Sequence, residues 1–366
     1  MNIDAEGYTR DQITNALFSS VRQVRFEYIA SDSSDVPIGE LEIENGHISY
    51  DSKSEVMRTF SGRVKKSDLL NLDSIDYRVT PWMCLMMPNG KEAKWPLGKF
   101  IIYPTLEMEN DRNMIGISGF DLGKIANDDK NVSRFYVDDE TVYTTAIASV
   151  LNEIYVRSEI TATESVKSFP QEWEIGTSKM QIINDLLKGI NYNPLHFDEN
   201  GIAICDPFIP GLSRTIDFIY FANEQSIIFD GLKFASDKYD IPNKWVRYTE
   251  NPEVSYLIST YTNDSVNSPY STVNRGRTIV DAAPVDDIAS QSLLDSYTER
   301  VAFESMQTTE KLEFSTLNMP GHGFRECLYI KIPAYDIEGK YIETAWDMDL
   351  SYGGQMSHIC ERVVVL

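Results

Sequence analysis

Alternation of polar and apolar side chains with a period of two runs through residues 22–120 and constrains the fold more than any other feature. Val24, Phe26 and Tyr28, for example, are separated by charged residues. This period places successive side chains on opposite faces of a strand, so each strand can bury one face against a core. Asn45-Gly46 and Asn89-Gly90 predict tight hairpin turns, because both central positions of such turns need positive φ. Residues 21–120 are therefore expected to form the first β domain, a small antiparallel barrel or sandwich.

The second Asn-Gly pair is expected to join strands at residues 78–87 and 94–103. Pro81 lies inside the first of these strands and has no N–H to donate to a neighbour. Proline is confined to sheet edges and irregular positions for that reason. Pro81 therefore predicts an edge strand or a bulge.

The first twenty residues predict a short helix. Thr9 and Gln12 have the spacing of a capping box, in which each side chain bonds the backbone N–H of the other residue. Ile13, Leu17 and Phe18 follow. We expect an amino-terminal arm at residues 1–20 that docks onto a neighbouring element or subunit.

Helical spacing replaces the strand pattern after residue 121. Apolar residues recur at intervals of three and four in 143–154, with Thr141 as a possible cap, and in 180–190, with Thr177 or Ser178 as the cap. A turn at residues 198–201 then leads into a short strand. These features predict an α/β middle section at residues 121–225.

Strand patterns return after residue 226 and predict a second β unit at 226–366. Pro284 and Asp286-Asp287 predict one inserted helix at about residues 285–305. Gly339 and Gly353-Gly354 predict hairpin turns. The expected strands are 227–234, 244–250, 255–262, 310–318, 326–333, 341–350 and 356–365. The predicted fold class is therefore a β-rich α+β fold, with two β-barrel or sandwich domains around an α/β middle section.

A formal net charge of −23 and a pI near 4.5 disfavour direct binding of nucleic acid, because such a surface repels phosphate.

The 4 cysteines show no paired spacing, as in a protein of a reducing compartment. The amino terminus lacks the charge and apolar run of a signal peptide. No segment approaches the roughly 18 apolar residues of a membrane span. We therefore expect no contact with a membrane.

Histidine is scarce, and His47, His196, His322 and His358 show no zinc-binding spacing. We interpret all four as surface or hydrogen-bonded core residues. Gly321-His322-Gly323 resembles the oxyanion loop of some hydrolases, but the chain has no GxSxG nucleophile motif. The turn at 198–201 is not a calcium loop, because Ile209 stands where the loop needs a bidentate glutamate. We therefore predict no catalytic, cofactor-binding or metal-binding residues and no enzymatic activity.

Acidic pairs and tryptophans leave two other interpretations open. Glycosidase chemistry needs two carboxylates at a fixed separation, and a sugar-binding groove needs exposed aromatic rings. We expect solvated loops for the acidic pairs and core positions for the tryptophans. The acidic pairs are Asp128-Asp129, Asp138-Asp139-Glu140 and Asp286-Asp287, and the tryptophans are Trp82, Trp95, Trp173, Trp245 and Trp346.

Several short strings, taken in order, resemble the tail-tip hub proteins of phages and phage-like particles that infect Gram-positive bacteria, the tail-associated "Tal"-like hub family. Two of them are Trp95-Pro96-Leu97-Gly98-Lys99-Phe100 and Trp173-Glu174-Ile175-Gly176-Thr177-Ser178-Lys179. The others lie at residues 51–62, 78–83, 117–121, 182–187, 191–195, 197–201, 239–245, 275–277 and 339–346. The resemblance extends over nearly the whole chain from about residue 40.

This resemblance implies a baseplate hub in the virion, assembled in the cytoplasm of the host bacterium. Three chains with two tail-tube-like domains each would form a homotrimeric, pseudo-six-fold ring that closes the distal tail tube. The implied partners are the distal tail or tail tube protein, the tape-measure protein, and a tail spike, fibre or lysin chain. DNA would pass through the acidic lumen without specific binding.

Many members of this family carry a wall-degrading or sugar-binding extension, whereas this sequence ends at Leu366. We therefore expect any wall-degrading activity on another chain. Two other functions stay open from the sequence: a carbohydrate-binding module of a tail tip or cell surface, and a wall hydrolase with paired carboxylates.

Overall fold

A computed structural model describes residues 3–5, 7–70, 77–105, 113–223, 227–236, 239–250, 256–285, 288, 290–307 and 310–363. The chain is β-rich, with 41% strand and 19% helix, as predicted. The helices are α1 Arg10–Leu17, α2 Lys66–Leu70, α3 Gly123–Asp128, α4 Tyr143–Glu153, α5 Lys179–Gly189, α6 Thr272–Arg275 and α7 Gln291–Gln307.

The first eight strands are β1 Val24–Ser31, β2 Pro37–Glu40, β3 Ile43–Asp51, β4 Arg58–Lys65, β5 Arg78–Met86, β6 Glu92–Pro96, β7 Phe100–Thr105 and β8 Met114–Asp121. Those of the middle section are β9 Phe135–Val137, β10 Ser158–Ile160, β11 Gln171–Trp173, β12 His196–Phe197, β13 Ala203–Cys205 and β14 Phe218–Phe221. The remaining strands are β15 Lys233–Ser236, β16 Lys244–Tyr248, β17 Ile258–Thr262, β18 Val280–Pro284, β19 Glu310–Leu317, β20 Cys327–Ile332, β21 Ile337–Leu350 and β22 Gln355–Arg362.

Strands from both ends of the chain pair in one large sheet of 14 strands. Its continuous path runs β15-β19-β22-β21-β3-β4-β8-β7-β5-β1-β2. Strand β20 pairs with β21, β14 with β20, and β6 with β5. The inward face buries one core cluster that includes Phe60 of β4 and Trp346 of β21. The alternation predicted from the sequence therefore builds a sheet that both β regions share.

The amino-terminal helix docks as the sequence predicts. The Thr9–Gln12 capping box forms, and α1 begins at Arg10. Ile13 and Leu17 are fully buried and belong to the main core cluster.

The middle section is a separate layer around α4 and α5, with its own core cluster. Ser178 caps α5 through its hydroxyl, whereas α4 begins after Val142, and no side-chain cap from Thr141 forms. The turn predicted at residues 198–201 forms, and Asp198 accepts bonds from the Asn200 and Ile202 N–H groups. Beyond this layer, β14 leaves the middle section and joins the large sheet through β20.

The segment between β15 and β19 contains two strands and a helix where they were expected, and in addition β18 and the short helix α6. Strands β16, β17 and β18 form a separate sheet, and α7 packs on β17 and β16. Helix α7 spans Gln291–Gln307 rather than about 285–305, and Asp286-Asp287 lies outside the described residues. The inserted layer has a small core that includes Trp245, Tyr270 and Met306.

Two of the glycine-based turn predictions are wrong. Asn45-Gly46 lies inside β3, where Asn45 has φ 52° and the pairing with β4 shifts register between Glu44 and His47. The pair therefore forms a β-bulge. Gly339 likewise lies inside β21. The turn that precedes β21 is formed at Asp336, which has φ 54°.

The two other glycine turns form where they were expected. Gly90 and Gly353 have positive φ, 78° and 73°, in the β5–β6 and β21–β22 connections. Pro81, however, lies in a strand with neighbours on both sides. Strand β5 pairs with β7 before Pro81 and with β6 after it, so the missing N–H falls where the partner changes.

Candidate assembly surfaces and a buried polar network

The two ends of the continuous path through the large sheet are strands without a second neighbour among the described residues. Strand β2 pairs only with β1, and β15 pairs only with β19. All four residues of β2 are exposed, and so are residues 233–235 of β15. Ile38 and Phe234 are 48% and 47% exposed. An unpaired, exposed edge with an apolar side chain is a template for pairing with another chain.

The two β regions meet where β21 pairs with β3. Six residue pairs, from Ala345–Asp51 to Leu350–Gly46, form this antiparallel junction. Beneath it, Trp346 stacks on Tyr50 with ring centroids 5.5 Å apart. Both side chains are buried. This packing joins the two β regions directly, through strand pairing and a shared core.

The outward face of the sheet at this junction is lined by small polar side chains. One cross-strand row follows the registers of β19, β22, β21, β3 and β4. We call it the polar ladder, and it consists of Ser315, Ser357, Asp347, Ser49 and Thr59. All five are half-buried.

The polar ladder is held together by hydrogen bonds from both sides of the junction. Ser49 and Ser357 donate to the two carboxylate oxygens of Asp347. His47, beside the ladder, lies 2.9 Å from Asp349. The carboxylates of Asp347 and Asp349 raise the pKa of His47, while its partial burial acts against them. The face is thus hydroxyl-rich and acidic, with one imidazole held between two carboxylates.

A second polar group lies on the inward side, in the core of the sheet. Glu343 of β21 is 0% exposed, and its two carboxylate oxygens lie 2.6 Å from Nδ1 of His322 and 2.6 Å from Nδ1 of His358. Nε2 of His322 lies 2.9 Å from the Tyr220 hydroxyl. Nε2 of His358 lies 2.8 Å from the Thr316 hydroxyl. We call these five residues the buried polar network.

Burial shifts the titration of this network toward uncharged forms. Desolvation raises the pKa of Glu343 and lowers that of His358. It lowers the pKa of His322 to about 3. The sequence singled out His322 and His358 only as lone histidines, because the residues that contact them lie far away in the chain.

Within the part of the chain that the structure describes, two groups of side chains bring three potential metal ligands within 4.8 Å of one another. One is His322, Glu343 and His358, in which the nitrogen–oxygen separations are those of direct hydrogen bonds. The other is Glu27, Cys84 and Glu92, whose carboxylates are already held by Arg25 and Lys94.

Of the residues considered for chemistry from the sequence, His322 and His358 come together, at the Glu343 carboxyl. Asp128, at the end of α3, forms an ion pair with Lys124, and residues 138–140 lie in the turn after β9. Four of the five tryptophans, Trp95, Trp173, Trp245 and Trp346, are buried and Trp82 is half-buried. The prediction that the chain has no catalytic, cofactor-binding or metal-binding residues stays a prediction.

Solved phage tail proteins share this architecture over almost their whole length. A tail protein from Neisseria meningitidis MC58 superposes with a TM-score of 0.66 at 10% identity, over 92% of this chain and 97% of that one. The 43 kDa tail protein of prophage MuSo2 from Shewanella oneidensis gives 0.60 at 10% identity, over 92% and 98%. Prophage tail protein gp18 from Listeria monocytogenes EGD-e gives 0.55 at 13% identity, over 91% and 94%.

The chain has the fold of phage tail proteins. This result confirms the predicted resemblance at the level of fold. No family model and no curated protein matches the sequence. In addition, no helix among the described residues is long and apolar enough to cross a membrane.

Proposed function

We propose that this phage-tail-like chain is a structural hub subunit of a phage or phage-like tail and acts by assembly rather than catalysis. Three copies would form a pseudo-six-fold ring at the distal end of the tail tube. The shared fold supports a tail role, and the two exposed terminal strands support the ring.

The observation that carries this proposal is a single sheet whose two ends are different strands from different β regions. A ring closed by rotation needs heterologous contacts, in which one patch meets a different patch on the next copy. Strand β15 of one protomer meeting β2 of the next would provide that contact and satisfy both exposed backbone edges. The β21–β3 junction already joins the two β regions inside one chain in the same way.

The polar ladder is proposed to line the lumen of the ring. Serine, threonine and aspartate at these positions carry no positive charge that could bind phosphate. A net charge of −23 also opposes adhesion of DNA. DNA and the tape-measure protein would then pass without specific binding. The distal tail or tail tube protein above the ring, and a spike, fibre or lysin chain below it, are the remaining proposed partners.

We expect the purified chain to form trimers in native mass spectrometry and three-fold rings with a central hole in negative-stain images. Ile38→Asp or Phe234→Asp places a charge on one side of the proposed contact and should shift the population to monomers. Val132→Asp is the matched control, because Val132 is 93% exposed and lies outside the large sheet. A monomer at every concentration, or edge variants that still form trimers, would contradict the proposed ring.

A further inference from the structure

The hydrogen bonds of Thr316 determine which atom donates and which accepts at one end of the buried polar network. The Thr316 hydroxyl lies 2.9 Å from the carbonyl oxygen of Leu317 and donates its single proton there. Toward His358 it can then act only as an acceptor. Nε2 of His358 therefore carries a proton and donates it to Thr316 Oγ1 across 2.8 Å.

This assignment leaves an extra proton between His358 and Glu343. A neutral imidazole with a proton on Nε2 has a lone pair on Nδ1, and an ionised carboxylate has only lone pairs. Two lone pairs facing each other at the observed 2.6 Å would repel, so a proton must lie between Nδ1 and Oε1. The hydrogen-bond geometry thus requires one more proton than an ionised Glu343 with two neutral histidines.

Burial decides which side holds that proton. Glu343 and the His358 side chain are 0% exposed, and among the described residues the Glu343 carboxyl bonds only the two imidazoles. An imidazolium–carboxylate pair would place two charges in a fully desolvated site, whereas a neutral acid beside a neutral imidazole places none there. Desolvation shifts the pKa of each of the three groups in the direction that favours its neutral form.

We propose that Glu343 is protonated at neutral pH and is the centre of an uncharged hydrogen-bond chain from Tyr220 to the Leu317 carbonyl. Tyr220 donates to Nε2 of His322, and Nδ1–H of His322 donates to Oε2 of Glu343. Oε1–H of Glu343 donates to Nδ1 of His358, and the chain continues through Thr316. With the protons assigned in this way, each hydrogen-bond donor in the chain meets one acceptor.

The chain links four strands of the sheet through side chains. Tyr220 is on β14, Thr316 on β19, Glu343 on β21 and His358 on β22. Strand β14 has only β20 as a strand partner among the described residues, so the Tyr220 hydroxyl adds a second attachment. A fully satisfied buried network of this kind selects one arrangement of its elements. We infer that it fixes β14 on the sheet.

Loss of the Glu343 proton would place a negative charge in this core, so the second β region should lose stability as pH rises. Other titratable and charged groups face the site from the neighbouring elements and contribute to the same field. They are Arg22 before β1, Tyr50 on β3, Arg58 on β4, Asp217 before β14, Tyr220 on β14, Glu326 and His322 before β20, and Cys360 and His358 on β22.

Nitrogen-15 NMR of the four histidines tests the proposal directly. At neutral pH we expect His322 as the Nδ1–H tautomer and His358 as the Nε2–H tautomer, both neutral, in spectra assigned with His→Gln variants. Glu343→Gln should preserve both tautomers, because its amide donates to His358 and accepts from His322. The difference infrared spectrum, wild type minus Glu343→Gln, should show the carbonyl band of a protonated carboxyl. Taking the difference cancels the contribution of Glu326, whose pKa is also raised by desolvation.

Three results would overturn the inference. The first is an imidazolium at His358 that becomes neutral in Glu343→Gln, which would place the proton on the imidazole. The second is a missing protonated-carboxyl band in the difference spectrum. The third is one equivalent of bound transition metal whose removal by EDTA changes both imidazole signals. If Glu343→Gln does not fold, the tautomers of the wild-type protein still decide between these states.

Discussion

Gly46 shows how one residue can be identified correctly as special and still be assigned the wrong role. A Cβ at this position would lie 2.3 Å from the Tyr28 hydroxyl and 3.3 Å from Leu350 Cβ. Glycine therefore leaves the space that the Tyr28 side chain fills, whereas the hairpin prediction rested on positive φ. The positive φ of the bulge belongs to Asn45. Local sequence cannot separate these causes, because Tyr28 and Leu350 are distant in the chain.

His47 should make the β21–β3 junction pH-dependent. Its hydrogen bond to Asp347, the largest contribution, and its bond to Asp349 raise the folded pKa above the unfolded value of about 6.5. The stabilisation is therefore complete below that value and is lost as pH rises through the folded pKa. Since His47 is partly exposed, we expect about 0.2–1 kcal/mol.

The difference in unfolding free energy between wild type and His47→Gln, measured by urea titration, should be larger at pH 5.5 than at pH 9. Taking the difference removes the pH dependence that comes from the titratable groups shared by both proteins. A larger difference at pH 9 would show that the carboxylates do not stabilise the protonated imidazole.

At the scale of elements, we expect the β21–β3 junction to determine which parts of the chain unfold together. Trp346 is 2% exposed and packs on Tyr50 across this junction. The inserted layer of β16–β18 and α7 has a separate small core around Trp245. The two layers should therefore respond differently to the loss of a core tryptophan.

Trp346→Ala should cost about 3–5 kcal/mol of unfolding free energy, because it removes a large buried ring and leaves a cavity. Hydrogen exchange should show protection lost together in β3, β4, β21 and β22. Trp245→Ala is the matched variant, and its effect should be concentrated in β16–β18 and α7. If Trp346→Ala reduced protection only in β19–β22, the two β regions would be independent units.

At the scale of the whole molecule, the chain combines a polar outward face with two exposed sheet ends. The face crosses from β19 to β4 through the junction, so both β regions contribute to it. In the proposed ring this face is the wall that DNA passes. Its chemistry should therefore affect passage of DNA more than it affects folding.

Ser49→Lys and Ser357→Lys, introduced into assembled particles, should slow DNA ejection. Each ammonium group would attract phosphate at the lumen wall, and the effect should weaken as salt is added. Val132→Lys adds the same charge outside the large sheet and should leave the ejection rate unchanged. Equal ejection rates for all three variants would exclude the polar ladder from the DNA path.

The sequence by itself determined the β-rich class, the capping box of α1, the turn at Asp198–Gly201, the amphipathic helices α4 and α5, and the burial of most tryptophans. These features depend on residues that are neighbours in the chain. Only the tertiary structure decided the β21–β3 junction, the polar ladder and the buried polar network. Their partners lie far apart in the chain, 298 residues in the Ser49–Asp347 pair, and strand register brings them together. No local pattern encodes which strand lies beside which, because that choice depends on how all the apolar faces share one core.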